Sequence, residues 1–217
     1  MKQILIVTAV DAERSAIERG LDAVGAGATE LVTLIAGGFG AASAAAATAE
    51  ALARAKEPYR VAVSAGIAGG FAGAATVGAL LVADRIIAAD LGAEDPEAPD
   101  GFASVDSLGF GSAVTAARPI AALDRLGAVR GDLLTVNTVT GSAQGAARLL
   151  KRYPDAVGEA MEGFGVAVAA ARFGVPAAEV RAVSNLVGPR DRGAWRIGEA
   201  LAALTAAVPA LIEGLSS

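Results

Sequence analysis

Short apolar runs alternate with longer stretches of helical periodicity along the chain. Residues 4–8, 31–36, 61–65, 79–88, 133–136 and 180–184 are brief and apolar on both faces, which predicts strands covered from two sides. Between them, residues 12–21, 41–56, 119–126, 143–152 and 162–173 carry helical patterns. A last helix follows, in which Ile197, Leu201, Leu204, Val208, Leu211 and Leu215 step by four and three along one face. Asp191 is placed to cap it, and Pro209 should kink it. Strands alternating with helices predict an α/β fold, a three-layer αβα sandwich around a mixed, largely parallel twisted sheet. Residues 92–107, rich in Asp, Glu, Pro and Gly, read as a mobile loop of a length that often carries function.

Composition narrows the chemistry. The 217 residues suit one domain, residues 1–217, and 54% are hydrophobic against 4% aromatic, so the core is built of Ala, Val, Leu and Gly. The net charge of −5 and the absence of a Lys/Arg cluster argue against nucleic acid as a partner. With no cysteine and no histidine there is no thiol nucleophile, no Ser-His-Asp triad and no zinc site of the usual kind. Neither a metal nor a cofactor is expected, and acid–base work falls to carboxylates, Lys and Tyr. Residues 61–83 carry no charge and are long enough to span a bilayer, but Gly66, Gly69, Gly70, Gly73 and Gly78 interrupt any helix there. The first apolar run meets Asp11 and Glu13 too early for a signal peptide. The expectation is a soluble cytoplasmic protein with no membrane partner.

Several motifs could bear chemistry, each with an ordinary alternative. Gly38-Phe39-Gly40 mimics a dinucleotide fingerprint, yet no acidic residue ends the next strand to hold a ribose, so a tight strand-to-helix turn is the better reading. Ser64-Ala65-Gly66-Ile67-Ala68-Gly69-Gly70 reads as a glycine turn at a strand's carboxyl end, where ligands bind in open α/β sheets, or as simple packing. Glu13 and Met161-Glu162-Gly163 sit at helix starts, where a carboxylate is favoured in any case. Ser184-Asn185 ends an apolar strand ahead of Gly188-Pro189-Arg190-Asp191-Arg192 and Trp195, and an Asn there is commonly a turn residue.

Taken in order, these motifs resemble the nucleoside phosphorylase/nucleosidase superfamily along nearly the whole chain. Thr8-Ala9-Val10-Asp11-Ala12-Glu13 is similar to the opening strand and acidic turn of the nucleosidases, and Glu159-Ala160-Met161-Glu162-Gly163 to their Met-Glu signature. Ser184-Asn185 stands where most nucleosidases carry Ser-Asp. The blocks Val136-Asn137-Thr138-Val139-Thr140-Gly141-Ser142 and Asn185-Leu186-Val187-Gly188-Pro189-Arg190-Asp191-Arg192 resemble the branch that hydrolyses futalosine to hypoxanthine in menaquinone biosynthesis. The resemblance implies a nucleoside substrate, a homo-oligomer of two or more copies, and roles for particular residues. Glu13 would orient and deprotonate water at the anomeric carbon, and Glu162 would accept from the ribose hydroxyls and stabilise an oxocarbenium-like charge. Met161 would pack against the ribose, Gly66 and Ile67 would line the site, and the backbone at Val139 and Thr140 would flank the purine beside Ser184.

Asn185 has no titratable proton and cannot protonate adenine, but its NH2 can donate to O6 while its carbonyl accepts from a protonated N7. That favours a 6-oxopurine as leaving base. Ser64 stands where phosphorylases of this superfamily place a phosphate-binding arginine, and Arg14 belongs to a helix surface, which favours water as acceptor. Futalosine carries a carboxyphenyl group beyond its 5′ carbon, for which Arg190, Arg192 and the loop ending at Phe102 are candidate partners, with Phe102 or Trp195 covering the ring. The alternatives are a methylthioadenosine or adenosylhomocysteine nucleosidase, a purine nucleoside phosphorylase, and a non-catalytic nucleoside-binding protein.

Overall fold

The computed structural model describes residues 3–98 and 100–216. The chain runs β1 (Ile4–Thr8), α1 (Asp11–Val24), α2 (Ala26–Leu31), β2 (Val32–Ala36), α3 (Gly40–Ala53), β3 (Val61–Gly70) and β4 (Leu80–Ala88). It continues through β5 (Gly92–Glu94), β6 (Phe102–Ser104), β7 (Val114–Ala116), β8 (Val129–Thr135), α4 (Ala143–Arg152) and β9 (Ala156–Ala160). It ends with α5 (Gly163–Arg172), β10 (Ala177–Leu186) and α6 (Ile197–Ser216).

Alternation along β1 shows why three layers form. Ile4 and Ile6 face a core shared with Ile17 of α1 and with Leu204, Val208 and Leu211 of α6. Leu5 and Val7 face the other way, toward Ala44 of α3 and Val166 and Ala170 of α5. Each fully buried aliphatic side chain contributes roughly 1.5–3 kcal/mol, so a strand apolar on both faces is held from both sides. Small residues bring the outer helices close. A Cβ on Gly20 of α1 would stand 2.5 Å from Val208 Cβ of α6, and one on Gly165 of α5 would run into the Ala41 backbone of α3.

The sheet is mixed and largely parallel. Strand β1 pairs in parallel with β2 and β3, β3 with β10, β4 with β8, and β8 with β9. The pairs β10–β4, β3–β9 and β4–β7 are antiparallel. Because β3 bonds to β9 as well as to β10, the sheet β10-β4-β8-β9-β3 closes on itself, a curvature that gathers the ends of β3, β9 and β10 around one cavity.

Four local expectations are corrected. The glycines of Ser64–Gly70 form no turn: β3 continues through Gly70, since three of its residues lack a Cβ and let neighbouring side chains press onto the backbone. Residues 119–126 make a 3-10 helix (Ala121–Leu126) that stops at the left-handed Gly127 (φ 70°) rather than an α-helix. Asp191 caps the short 3-10 turn Arg192–Ala194 by accepting from Gly193 N at 2.9 Å, not the long helix behind it. Residues 92–107 hold the antiparallel hairpin β5–β6, with Arg152 of α4 stacked 3.9 Å over the Phe102 ring and bonded to Asp100. The uncharged 61–83 stretch is β3, a turn and the start of β4. Among the described residues, one helix, Arg192–Ser216, is long and apolar enough to cross a membrane, and its apolar stripe is packed on α1 and β10.

Candidate active site

The chain leaves β1 at Thr8 and enters α1 within three residues, so Glu13 lies in the first helical turn with free backbone N–H groups beside it. Its carboxylate folds back rather than pointing to solvent. Oε2 accepts from Ala9 N (2.9 Å) and Val10 N (3.3 Å), and Oε1 accepts from Ile67 N on β3 (2.8 Å). Gly66 is required there, because a Cβ would collide with Glu13 Oε1 and lie 2.8 Å from Arg181 Nη1. Glu13 is thus buried and held between the end of β1 and the backbone of β3.

Glu162 approaches from the opposite side, where β9 hands over to α5. Its Oε1 accepts from Gly40 N at 3.2 Å, so the N-terminus of α3 holds this carboxylate. Gly38 and Gly40 both have positive φ (88° and 81°), which only glycine adopts readily. The Gly38-Phe39-Gly40 turn therefore serves the protein's own glutamate, leaving no N–H array for a dinucleotide.

Between the two glutamates lies Arg181, which is 1% exposed. Its Nη1 is 3.2 Å from Glu162 Oε2, its Nε donates to Glu179 Oε1 (2.9 Å) and its Nη2 to Ser64 Oγ (2.8 Å). Burial works against its charge, but Glu179, Glu162 and Glu13 outweigh that and hold the guanidinium above its ordinary pKa. Burial pushes Glu179 up despite Arg181, with the Glu162 charge adding to the rise. Gly163 makes room for it, as a Cβ there would strike the Glu179 carboxylate.

At the end of β10, Ser184 Oγ lies 2.8 Å from Asn185 Oδ1 and 3.2 Å from Ala68 O, while Asn185 Nδ2 donates to Leu186 O (3.0 Å). One N–H and one lone pair of the amide stay free. Across β3, Glu159 accepts from Thr140 N (2.6 Å) and Thr140 Oγ1 (2.7 Å), and burial raises its pKa against those two bonds.

Glu13, Ile67, Val139, Met161, Glu162, Ser184 and Asn185 line one cavity of about 260 Å³, whose wall also includes Phe39, Gly69, Glu159 and Trp195. An adjoining lobe shares Val139, Glu159, Asn185 and Trp195 and adds Thr140 and Arg190. Gly66 lies beneath, against Glu13. Phe102 and Arg192 are not among the lining residues: Phe102 is taken by Arg152, and Arg192 is exposed in its 3-10 turn. Arg14 is a surface residue paired with Glu18 at 3.3 Å. The pattern reading passed over Arg181, Glu179 and Glu159. A signal for the first two existed: Glu179 and Arg181 sit two apart in an apolar strand, on one face, where a charge is tolerated only if paired. Among the described residues, no group of three or more His, Cys, Asp or Glu is placed to hold a metal ion.

Known proteins resemble this chain in sequence and in fold. The Phosphorylase superfamily profile matches residues 19–215. A futalosine hydrolase from Streptomyces coelicolor is 53% identical, covering 99% of this chain and 97% of its own. Another from Acidothermus cellulolyticus is 45% identical over 95% of this chain and 89% of its own. The solved structure of futalosine hydrolase from Helicobacter pylori superposes with a TM-score of 0.79 over 98% of this chain and 97% of that one, and at 16% identity it speaks to the fold alone.

Proposed function

The chain belongs to the Phosphorylase superfamily, and from that premise we propose that it is a hydrolase that cleaves the N-glycosidic bond of futalosine, releasing hypoxanthine. The observation that carries this reading is the convergence of Glu13, Glu162 and Asn185 on one cavity. Glycoside cleavage builds positive charge on the sugar and negative charge on the base. Two carboxylates on the sugar side and an amide on the base side match that separation.

Glu13, fixed by three backbone N–H groups at the cavity wall, retains a lone pair on Oε1 with which to take a proton from water. Glu162 accepts from the ribose hydroxyls and faces the developing oxocarbenium, and Met161 packs on the sugar. The backbone at Val139 and Thr140 flanks the purine. Asn185 donates to O6 and accepts from a protonated N7. Arg190, whose guanidinium stands 5.9 Å over the Trp195 ring, is the candidate partner for the substrate's distal carboxylate.

Water is favoured over phosphate as acceptor by electrostatics. The guanidinium nearest the sugar side, Arg181, is already paired with Glu162 and Glu179, and Glu13 would repel a phosphate dianion. The enzyme is further read as a cytoplasmic homo-oligomer, and Phe39 and Phe110, 69% and 82% exposed, offer apolar surface to bury.

The test is incubation of futalosine, its 6-amino analogue and methylthioadenosine, each in phosphate-free buffer, with chromatography of the released base. Hypoxanthine from futalosine is expected. Cleavage only with added phosphate, or preference for methylthioadenosine, would overturn the reading.

A further inference from the structure

The purine end of the cavity holds a carboxylate to which the hydrolysis gives no task. In the pairing of β10 with β3, Asn185 lies opposite Gly69, and in the pairing of β3 with β9, Gly69 lies opposite Glu159. Amide, glycine and carboxylate therefore occupy one row across three neighbouring strands. Strand spacing puts the outer two Cα atoms roughly 10 Å apart, so their inward-leaning side chains bracket a gap on the scale of a planar heterocycle. The middle position carries no side chain. A Cβ on Gly69 would press on Val187 Cγ2 at 2.9 Å and stand 3.5 Å from Asn185 Nδ2 and 3.8 Å from Glu159 Cγ, so amide and carboxylate flank the same glycine, and all three line the cavity.

Keeping Glu159 there is costly. It is only 4% exposed, and among the described residues no Lys or Arg forms an ion pair with it. Its bonds are those from Thr140 N and Oγ1, which fix the carboxylate and leave each oxygen a further lone pair. A buried carboxylate without a counter-charge, lining a cavity, marks a group kept for a ligand rather than for the fold.

We propose that Glu159 is a specificity-determining residue: it accepts a hydrogen bond from N1–H of a 6-oxopurine while Asn185 holds the O6/N7 edge. This rests on the nucleosidase function proposed above and names what that site distinguishes. N1 is adjacent to C6 on the ring, so one row can read both positions. A 6-oxopurine presents a donor at N1, and a 6-aminopurine presents a lone pair, which a carboxylate repels. Asn185 alone cannot make this distinction with certainty of sign, because an amide both donates and accepts.

The test compares wild type, Glu159→Gln and Glu159→Ala in two measurements. In the first, kcat/KM is taken for futalosine and its 6-amino analogue. Glu159→Gln, which can donate to an unprotonated N1, is expected to narrow the 6-oxo preference by about 10- to 100-fold, the scale of one hydrogen bond to a charged group. In the second, hypoxanthine and 1-methylhypoxanthine are titrated directly. Wild type should bind the methylated base at least tenfold more weakly, and Glu159→Ala, which opens the space, should recover it. An unchanged base preference in Glu159→Gln, or equal binding of the two bases by wild type, overturns the proposal. The titration requires no turnover, so it decides about Glu159 even if futalosine proves not to be the substrate, and its wild-type arm needs no variant to fold.

Discussion

Arg181 Nη1 lies 3.2 Å from Glu162 Oε2, with both groups buried and Glu162 at the cavity wall, and the same guanidinium is bonded to Glu179. The carboxylate proposed to hold the ribose is thus itself held, from behind by Arg181 and from above by Gly40 N. This ties the position of Glu162 to strand β10, the strand that also carries Asn185.

Removing Arg181 should be far more damaging than removing a surface arginine. Arg181→Met leaves Glu179 and Glu162 buried without their counter-charge, and a loss of about 3–5 kcal/mol is expected, read by denaturant unfolding. Arg181→Lys should rescue only part, since an ammonium cannot reach Glu179, Glu162 and Ser64 with one rigid fork. Stability equal to wild type in Arg181→Met would show the cluster to be dispensable for folding.

Glu13→Gln should reduce kcat by about 100- to 10,000-fold, the range for loss of a general base. An amide also turns an N–H toward one of its three backbone donors, so a stability loss of about 1–2 kcal/mol accompanies it. Thermal unfolding beside steady-state kinetics separates the two effects. A variant that keeps wild-type turnover removes Glu13 from the mechanism.

Gly66→Ala should act on the same carboxylate by steric means. The new methyl would collide with Glu13 Oε1 and crowd Arg181 Nη1. Turnover should fall by at least about tenfold, as misplacement of a catalytic group by 1 Å can cost about 100-fold. Gly198→Ala, with nothing near its Cβ, serves as the neutral control.

Burial raises the Glu159 pKa above its ordinary 4.5, and the sign of the stability effect follows. The folded state binds this proton more tightly than the unfolded state does. The contribution is therefore fully present below about pH 4.5 and is lost as pH rises through the raised value. Glu159→Gln, which cannot ionise, should have a higher Tm than wild type at neutral pH, with the difference shrinking as the pH falls through the raised value toward 4.5. A Tm gap that does not change with pH would contradict this origin.

Asn185→Asp should shift base preference toward 6-aminopurines, because a carboxylic acid can protonate N7 and the amide cannot. The measurement is kcat/KM on futalosine and its 6-amino analogue, and an unchanged ratio would remove Asn185 from base recognition.

The local pattern of the chain determined the elements that depend on near neighbours. Residues 4–8 form β1 and residues 143–152 form α4 at the expected bounds, and α6 follows its four-and-three stepping, because periodicity reports which faces will be covered. It also determined that acid–base chemistry must fall to residues other than His and Cys, and the ordered motifs placed Glu13, Glu162 and Asn185 as candidates. Tertiary structure decided the rest. That the glycines of β3 are strand and not turn depends on Val183 and Val187 pressing onto them from β10 and the segment beyond it. That Arg181 can sit in the core depends on carboxylates brought to it from β10, α1 and the start of α5. The row from Asn185 through Gly69 to Glu159 exists only because the sheet closes between β3 and β9. Periodicity records what each residue does to its own segment, while a buried charge or the wall of a cavity is set by strands distant in sequence, whose register no single segment contains.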